Sequence, residues 1–318
     1  MKKFVSLNLS LVLFLLCSCA EFQENKDTQF LLDTVVSLSA KCDQETLDDA
    51  FALCKEYEDL LSRTKENSDV FKLNQSDGFT EVSEHTKNII KESIHFGHLS
   101  QGKFDITIYP LSSLWDFNNA VIPSRDEIAE ALKNIDYQSI EIKGNKVNLN
   151  GKQIDLGGIA KGYIADRLLE YFKEKDISEG IIDLGGNIVV FGERDYNIGI
   201  KKPFSNNELA ATVKLRNKSV VTSGIYERYI QSASFLYHHI LDPETGYSCN
   251  TDLCSATIIA DSSMQADAYS TVCILLGLEK AKKLIENALN IEAVFIDSDN
   301  NLHCTSGLSL KNGEITPK

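Results

Sequence analysis

The chain has 318 residues, of which 43% are hydrophobic and 25% are charged, and its formal net charge at pH 7 is -14. This length and apolar content allow one large domain or two ordinary ones with a packed core, and they exclude a disordered chain. The negative charge excludes a protein whose surface follows nucleic-acid phosphates, because such surfaces are basic, although a local basic pocket could still hold one anionic small molecule.

The first residues predict an export signal that is not part of the fold. Lys2 and Lys3 precede a mostly apolar run over residues 4–16, which is too short for a membrane-spanning helix. The run ends in L-C-S-C, which resembles a bacterial lipobox. We therefore expect a lipoprotein signal peptide over residues 1–18 and a lipid on Cys19. The alternative is an ordinary signal peptide cut elsewhere or an uncleaved anchor.

The remaining sequence predicts a polar tether over residues 19–29 and one domain over residues 30–318, because no repeat or low-complexity linker divides it. In its first half, alternation and helical spacing predict a strand at 30–39, a helix at 46–63 capped by Thr46 and Asp49, and a loop at 62–74. A helix at 83–99 is opened by Ser83, and a helix at 124–134 is opened by a capping box of Ser124 with Glu127. A hairpin follows at 139–150. In the second half of the domain the same patterns predict a helix to Phe172, two strands within 180–192, strands at 196–200, 211–215, 219–223 and 256–260, helices at 266–277 and 279–289, and a hairpin around 300–301. This mixture predicts a single α+β domain.

Cysteines and aromatic residues leave two questions open. The cysteine spacing contains no CxxC pair, so we expect neither a disulfide framework nor a zinc site, and Cys249 with Cys254 is the one nearby pair that could form a disulfide. Residues 102–117 are aromatic and include Trp115. They could line a pocket for a planar ring, but core packing is favoured because large rings are usually buried.

Residues 154–166, I-D-L-G-G-I-A-K-G-Y-I-A-D, hold the densest site chemistry of the chain. Gly157, Gly158 and Gly162 allow the backbone to approach a ligand closely, and the start of a helix favours a phosphate. Lys161 would add a positive charge there. The alternative is a glycine-rich turn chosen for tight packing, with Asp155 capping the helix.

A second candidate site lies on the predicted helix at 266–277. Asp267 and Thr271 are four residues apart, so a helix places them on one face. A carboxylate and a hydroxyl can hold a hard cation if a further oxygen, such as a carbonyl near Gly158, completes the site. The alternative is that Asp267 only caps the helix.

These stretches together resemble the ApbE family of FAD:protein FMN transferases. The matching pieces follow the family's order over about residues 30–290, and they are S-R-T-K-E-N-S-D-V-F-K-L-N, G-K-F-D-I-T-I-Y-P-L-S-S-L-W-D-F, I-D-L-G-G-I-A-K-G-Y-I-A-D, I-I-D-L-G-G-N, S-G-I-Y-E-R-Y, H-H-I-L-D-P-E-T-G and A-D-A-Y-S-T. The resemblance implies a T-fold-like α+β domain. It also implies a Mg²⁺-dependent enzyme that cleaves the FAD pyrophosphate, attaches FMN through a phosphoester to a threonine or serine of a partner protein, and releases AMP.

The resemblance also implies site residues by position. Metal ligands would be the Gly158 carbonyl, Asp267 and Thr271, with Ser270 adjacent, and Mn²⁺ could replace Mg²⁺. FAD contacts would come from Leu32, Phe104, Asp105, Ile106, Asp155, Lys161 and Leu241. Because phosphoryl transfer needs mainly positioning and charge neutralisation, Asp267, Lys161 and Thr271 are the predicted catalytic residues.

Partners and location follow from the same resemblance. The acceptors would be flavin-carrying subunits of membrane redox complexes, of the sodium-pumping Nqr type or the Rnf type. Many family members are exported lipoproteins, so we expect this protein to be anchored by its lipid to the inner membrane and to face the periplasm.

One departure from the family pattern leaves the reaction open. Many relatives carry a tyrosine where Thr64 stands, and that ring could close over the flavin site and exclude water. The smaller Thr64 makes FAD hydrolysis to FMN and AMP the first alternative. A non-catalytic periplasmic FAD-binding lipoprotein is the second, although binding alone requires no metal pair. The group that takes the acceptor proton also stays open between His238, His239, Asp267 and a hydroxide on the metal.

Overall fold

The computed structural model of the protein describes residues 23–206, 208–232 and 235–318. Its helices are α1 (Gln44–Leu61), α2 (Asp69–Asn74), α3 (Glu84–Leu99), α4 (Tyr109–Ser112), α5 (Arg125–Leu132), α6 (Ala160–Glu174), α7 (Ser263–Leu276) and α8 (Leu278–Glu286). Its strands are β1 (Glu24–Leu31), β2 (Thr34–Lys41), β3 (Thr80–Glu81), β4 (Glu141–Lys143), β5 (Lys146–Asn148), β6 (Gly180–Leu184), β7 (Asn187–Phe191), β8 (Tyr196–Lys201), β9 (Leu209–Leu215), β10 (Lys218–Gly224), β11 (Tyr229–Ser232), β12 (Phe235–His238), β13 (Leu253–Ala260), β14 (Glu292–Asp297), β15 (Leu302–Cys304), β16 (Leu308–Lys311) and β17 (Glu314–Pro317). The predicted α+β class is confirmed.

The core is built in layers around an antiparallel sheet. Its strand order is β1-β2-β6-β7-β10-β13-β14-β15. Helices α1, α6, α7 and α8 pack on one face. The other face packs on a second sheet, β16-β17-β9-β8, through side chains such as Val190, Val220 and Ile259. Because both faces are covered, every residue of β13 is buried.

Two helix caps confirm their sequence predictions. The Thr86 amide donates to Ser83 Oγ at 3.1 Å, at the start of α3. At α5 the Glu127 amide donates to Ser124 Oγ at 3.3 Å, and the Ser124 amide donates to Glu127 Oε2 at 2.8 Å. Both caps satisfy amides that have no partner within the helix.

The predicted tether is wrong for its second part. Residues 24–29 belong to β1, which pairs with β2 from Glu24 opposite Lys41 to Leu31 opposite Thr34. An edge strand that is largely exposed needs few apolar residues, so its polar sequence concealed it. Residues 1–22, with the predicted signal peptide and Cys19, lie outside the described part of the chain.

Two further expectations near α1 need correction. The N-cap of α1 is Asp43, which accepts from the Thr46 amide at 2.8 Å, and not the pair of Thr46 and Asp49. The predicted loop at 62–74 contains α2, whose N-cap Ser68 accepts from the Phe71 amide at 2.8 Å. A helix this short presents too few turns to show helical spacing in the sequence.

The remaining open points are resolved within the described residues. Cys249 and Cys254 both carry free thiols and are buried. Trp115 is buried among Leu111, Ile128 and Leu241, which confirms the core interpretation of that ring. None of the helices that the structure describes is long and apolar enough to cross a membrane.

Candidate functional site

The two sequence motifs meet where α6 packs against α7. A Cβ atom at Gly162 would lie 2.3 Å from the Ser263 carbonyl oxygen and 2.7 Å from Asp267 Cβ, so only glycine fits at this crossing. The bare backbone lets the Gly162 amide donate to Asp267 Oδ2 at 2.8 Å. The packing interpretation of this glycine is therefore confirmed, and the same close packing brings its amide to the carboxylate.

Asp267 is a buried carboxylate, and its neighbours offset only part of the cost of burying its charge. Only 4% of it is exposed, and burial raises the pKa of its carboxyl, while the Lys161 charge and the Gly162 amide act in the opposite direction. A nearby divalent cation would stabilise the charged form of such a group. The capping alternative is wrong, because Ser262 is the N-cap of α7.

Hydroxyl groups surround Asp267 on the same helix. Ser270 Oγ donates to the Asp267 carbonyl oxygen at 2.7 Å and lies 2.7 Å from Ser223 Oγ. Ser223 Oγ also lies 3.4 Å from Thr271 Oγ1. Ser270 is fully buried whereas Thr271 is partly exposed, so Thr271 is the more available ligand of the two.

Gly158 borders this group from the other motif. A Cβ atom there would lie 3.7 Å from Thr271 Oγ1 and 3.1 Å from the Phe104 ring. The structure thus brings Gly158, Asp267, Ser270 and Thr271 together, and their donors are a carbonyl, a carboxylate and two hydroxyls. Such an all-oxygen set fits Mg²⁺. The described residues contain no cluster of three or more His, Cys, Asp or Glu suited to a metal, so a cation beside Asp267 would need hydroxyl and carbonyl oxygens as its further ligands.

Asp155 anchors the start of the glycine motif. Its amide donates to the Ile106 carbonyl at 2.8 Å, and its carboxylate accepts from Gly157 at 2.9 Å and from Ser112 at 3.2 Å. Arg63 forms a salt bridge with the same carboxylate. Arg63 directly precedes Thr64, which is exposed, so the predicted flavin loop and the glycine motif are joined by an ion pair.

Asp105 and Phe104 have different roles. The Asp105 carboxylate is buried and accepts from the Thr107 amide at 2.7 Å, the Thr107 hydroxyl at 2.6 Å and the Tyr137 amide at 3.1 Å. Burial raises the pKa of this carboxyl. Its side chain therefore holds the turn at Ile106–Ile108, whereas the Phe104 ring faces Gly158.

Leu32 and Leu241 lie in two other parts of the fold. Leu32 follows β1 with a φ of 55°, and its amide donates to Glu58 Oε1 at 3.2 Å. Leu241 is buried in the apolar cluster around Trp115. Any contact of either residue with FAD would be apolar or through the backbone.

The two candidate histidines differ in their surroundings. His238 is buried, its Nε2 donates to the Cys249 carbonyl at 3.0 Å, and burial lowers its pKa to about 4. His239 Nδ1 lies 3.4 Å from the Arg228 carbonyl. Burial first, and then the charges of His238, Arg228 and Lys161, lower the pKa of His239 to about 4, while the hydrogen bond with the Arg228 carbonyl acts in the opposite direction. Only His239 is thus influenced by Lys161, and its Nε2 is left free to accept a proton.

Sequence reasoning assigned no role to three residues of this site. Ser223 contacts the hydroxyls of Ser270 and Thr271, and Arg63 holds Asp155. Asn74 clamps the motif, accepting from the Ile154 amide at 2.7 Å and donating to the Ile154 carbonyl at 2.9 Å. All three lie within stretches that resemble the family, but their partners are distant in sequence and no local pattern reveals them.

Comparisons with known proteins show which family this chain is similar to. The family described as the ApbE family matches residues 32–295. A Klebsiella pneumoniae protein named FAD:protein FMN transferase is 33% identical over 270 residues, covering 82% of this chain and 85% of that protein. A Treponema pallidum protein of the same name is 31% identical over 288 residues, covering 82% of this chain and 80% of that protein.

Solved structures share the fold. The ApbE protein of Thermotoga maritima is 30% identical with a TM-score of 0.82, covering 89% of this chain and 97% of that one. The flavin transferase ApbE of Vibrio cholerae has a TM-score of 0.79, covers 89% of this chain and 98% of that one, and at 24% identity supports the fold alone. The family match and the curated relatives together establish that this chain belongs to the ApbE family.

Proposed function

We propose that this protein is a transferase of the kind for which its relatives are named, an FAD:protein FMN transferase. The observation that carries the proposal is the Asp267 carboxylate, buried and held at 2.8 Å by the Gly162 amide beside Thr271. A buried carboxylate, hydroxyls and a lysine at a helix start suit a metal-assisted pyrophosphate reaction.

Mg²⁺ would be held by Asp267, Thr271 and the Gly158 carbonyl, with Ser270 behind them. When bound, it supplies positive charge to the pyrophosphate oxygens. Lys161 adds a second positive charge from the start of α6. Asp155 and Arg63 fix the loop that would border FAD, and the Phe104 ring closes the space beside Gly158.

The proposed step is a substitution at phosphorus. The acceptor hydroxyl oxygen attacks the phosphorus on the FMN side, the bond from that phosphorus to the bridging oxygen breaks, and AMP leaves with the bridging oxygen. The hydroxyl proton passes to Nε2 of His239, which later releases it to water. Its pKa of about 4 keeps the imidazole neutral at neutral pH, so Nε2 carries a lone pair for that proton, although the same burial makes the imidazole a weak base.

The acceptor and the location are part of the proposal. The acceptor would be a threonine or serine of a flavin-carrying subunit of a membrane redox complex, of the Nqr or Rnf type. A lipid on Cys19 would hold the enzyme at the inner membrane, facing the periplasm. The lipobox-like L-C-S-C sequence supports this location.

FAD hydrolysis is the second candidate, and the exposure of Thr64 favours it. Thr64 is a small side chain beside the Arg63 salt bridge, and its Oγ1 lies 3.1 Å from Ser62 Oγ. A small residue there leaves room for water to replace the acceptor hydroxyl. The products would then be free FMN and AMP.

One assay tests both candidates. The full-length protein in detergent is incubated with FAD, Mg²⁺ and the soluble domain of a flavin-acceptor subunit from the same organism, and acceptor mass and AMP are measured. A mass gain equal to FMN with matching AMP supports transfer, and free FMN with an unmodified acceptor supports hydrolysis. Asp267→Asn should abolish both, while Asp299→Asn, at an exposed position, should change neither. AMP release that survives Asp267→Asn would contradict the mechanism.

A further inference from the structure

An exposed group of aromatic rings lies next to the candidate site. Phe204 is 50% exposed and Tyr229 is 43% exposed. The Phe204 ring centroid lies 5.6 Å from that of Tyr229 and 5.9 Å from that of Tyr226. We call the two exposed residues, with the partly buried Tyr226, the aromatic rim. Large exposed rings grouped in this way are typical of surfaces that bind another protein.

The backbone of Phe204 is unusual for its residue type. Pro203 and Phe204 form the centre of a turn in which the Ser205 amide donates to the Lys202 carbonyl at 3.3 Å. Phe204 has a φ of 56°, in the left-handed region that glycine favours at this turn position. A bulky residue held there while half exposed gains little from core packing. Such strain is usually retained where the side chain serves a function.

The aromatic rim is continuous with the predicted metal ligands. Thr271 Oγ1 lies 3.4 Å from Ser223 Oγ, and Ser223 precedes Gly224 on β10. A Cβ atom at Gly224 would lie 2.6 Å from the Tyr226 ring, so that ring covers the end of the strand. Phe204 then packs on Tyr226. A molecule seated on the rim would therefore lie near the partly exposed Thr271, from which the rim is separated by Ser223 and Gly224.

Beside the rim lie positive side chains without a salt-bridge partner in the part of the chain that the structure describes, together with the Glu227 carboxylate, although the whole chain carries a net charge of -14. Glu227 is influenced by the positive charges of Lys161, Arg228 and Lys201. Lys202 pairs with Glu208 at 2.6 Å, but within the described residues neither Lys201 nor Arg228 forms a salt bridge. A partner with acidic side chains would complement this edge.

We propose that the aromatic rim docks the acceptor polypeptide, as an extended segment with apolar and acidic side chains next to its threonine or serine. This inference rests on the proposed transferase function. The ring geometry favours a polypeptide over the flavin itself. Phe204 meets Tyr229 at 79° and Tyr226 at 67°, so the rings offer edges and faces to separate side chains and no parallel pair to clasp one planar ring.

Three substitutions test the rim without disturbing the fold. Phe204→Gly removes a ring at a φ of 56° that glycine adopts freely, so loss of folding cannot explain its effect. Tyr229→Ala removes the second ring, and Tyr229→Phe keeps it. Leu289→Ala is the matched control, because Leu289 is 90% exposed and lies on a separate surface segment after α8.

Initial rates of FMN transfer are measured against the concentration of the acceptor domain, at saturating FAD. We expect the acceptor KM to rise about tenfold or more in Phe204→Gly and Tyr229→Ala, as for a central interface residue, and to stay within about twofold in Tyr229→Phe and Leu289→Ala. The Kd for FAD, from flavin fluorescence, should not change. Lys201→Gln should raise the acceptor KM at low salt and have less effect at high salt.

Two results would overturn the inference. An unchanged acceptor KM in Phe204→Gly and Tyr229→Ala would show that the acceptor binds elsewhere, and a raised Kd for FAD would assign the rim to the flavin. Failure of the proposed function is a different result, since the wild-type protein would then transfer no FMN. In that case, binding of the acceptor domain to immobilised protein tests the rim without catalysis. Equal binding by wild type and Phe204→Gly would show that the rim does not dock the acceptor.

Discussion

The sequence I-D-L-G-G occurs at residues 154–158 and again at residues 182–186. The two copies have different contacts and lead into different secondary structure. In the second copy Asp183 Oδ1 accepts from the Gly185 and Gly186 amides at 3.0 and 3.2 Å, which closes the turn between β6 and β7. In the first copy Asp155 accepts from Gly157 and also from Arg63 and Ser112, and α6 comes next.

The difference arises from the residues after each copy and from the contacts around it. N-I-V-V-F continues the second copy as a strand, because β-branched residues favour that conformation. I-A-K-G-Y continues the first copy as a helix, with Lys161 near its start and Gly162 against α7. A short glycine motif therefore indicates a site only when the next residues supply a helix start and a charge.

The largest expected effect comes from the charge that only the first copy has. Lys161→Met should lower kcat/KM for FMN transfer by about 10²–10³-fold, as for loss of one preorganised group that stabilises transition-state charge. Lys173→Met, in the last turn of the same helix and exposed, should have no effect. Steady-state kinetics measure kcat/KM for both variants. A value for Lys161→Met within twofold of wild type would contradict a role of the first copy in binding the phosphates.

The next effect is a difference in stability between alanine substitutions at the glycines of the two turns. Gly185 has a φ of 71°, and a Cβ atom there would lie 2.1 Å from Thr34 Oγ1. Gly185→Ala should therefore lower the free energy of unfolding by about 2–4 kcal/mol. Gly157→Ala, without a positive φ and with 3.2 Å to Asp155 Oδ1, should cost less than about 1 kcal/mol. Urea titration measures the free energy of unfolding of both variants. Equal decreases would contradict the claim that the two turns constrain their glycines differently.

A third, smaller effect concerns the ligand. Asp155→Ala removes the partner of Arg63 and the acceptor for the Gly157 amide. We expect the Kd for FAD to rise about tenfold, which equals about 1.4 kcal/mol. Flavin fluorescence titration measures it. Asp183→Ala is the matched variant from the second copy, and any comparable loss of FAD affinity there would contradict the assignment.

The smallest effect concerns the turn itself. Asp183→Ala removes the acceptor for two amides in a partly buried turn, and it should lower the free energy of unfolding by about 1 kcal/mol. Thermal unfolding with and without FAD measures it. FAD should stabilise this variant as much as it stabilises the wild type.

Much of the fold could be predicted because its signals are local. Ser83 and the pair of Ser124 with Glu127 mark helix starts within four residues of chain, and the alternation of β6 and β7 marks two strands. The elements that were missed lack such signals. β1 is a polar edge strand, and α2 is six residues long, so neither shows a recognisable period.

The site could be predicted only in part, for a related reason. Asp267, Thr271 and the glycine motif stand out as residue types, whereas Arg63, Asn74 and Ser223 act through partners far along the chain. Arg63 is 92 residues from Asp155, and Asn74 is 80 residues from Ile154. Only folding brings such pairs together. The Asp105 carboxylate has a role that the sequence did not reveal, since it holds a turn, and its expected contact with FAD stays a prediction.

The early start of β1 would limit how far an enzyme anchored through Cys19 can reach. If Cys19 carries the lipid, residues 20–23 are the only chain between the anchor and Glu24. The five extended steps from Cys19 to Glu24 span at most about 18 Å. The catalytic domain would then remain close to the bilayer surface and meet mainly acceptors held at the same surface. Confinement of both proteins to one thin layer raises their effective concentration, so a modest affinity between them would be enough for modification.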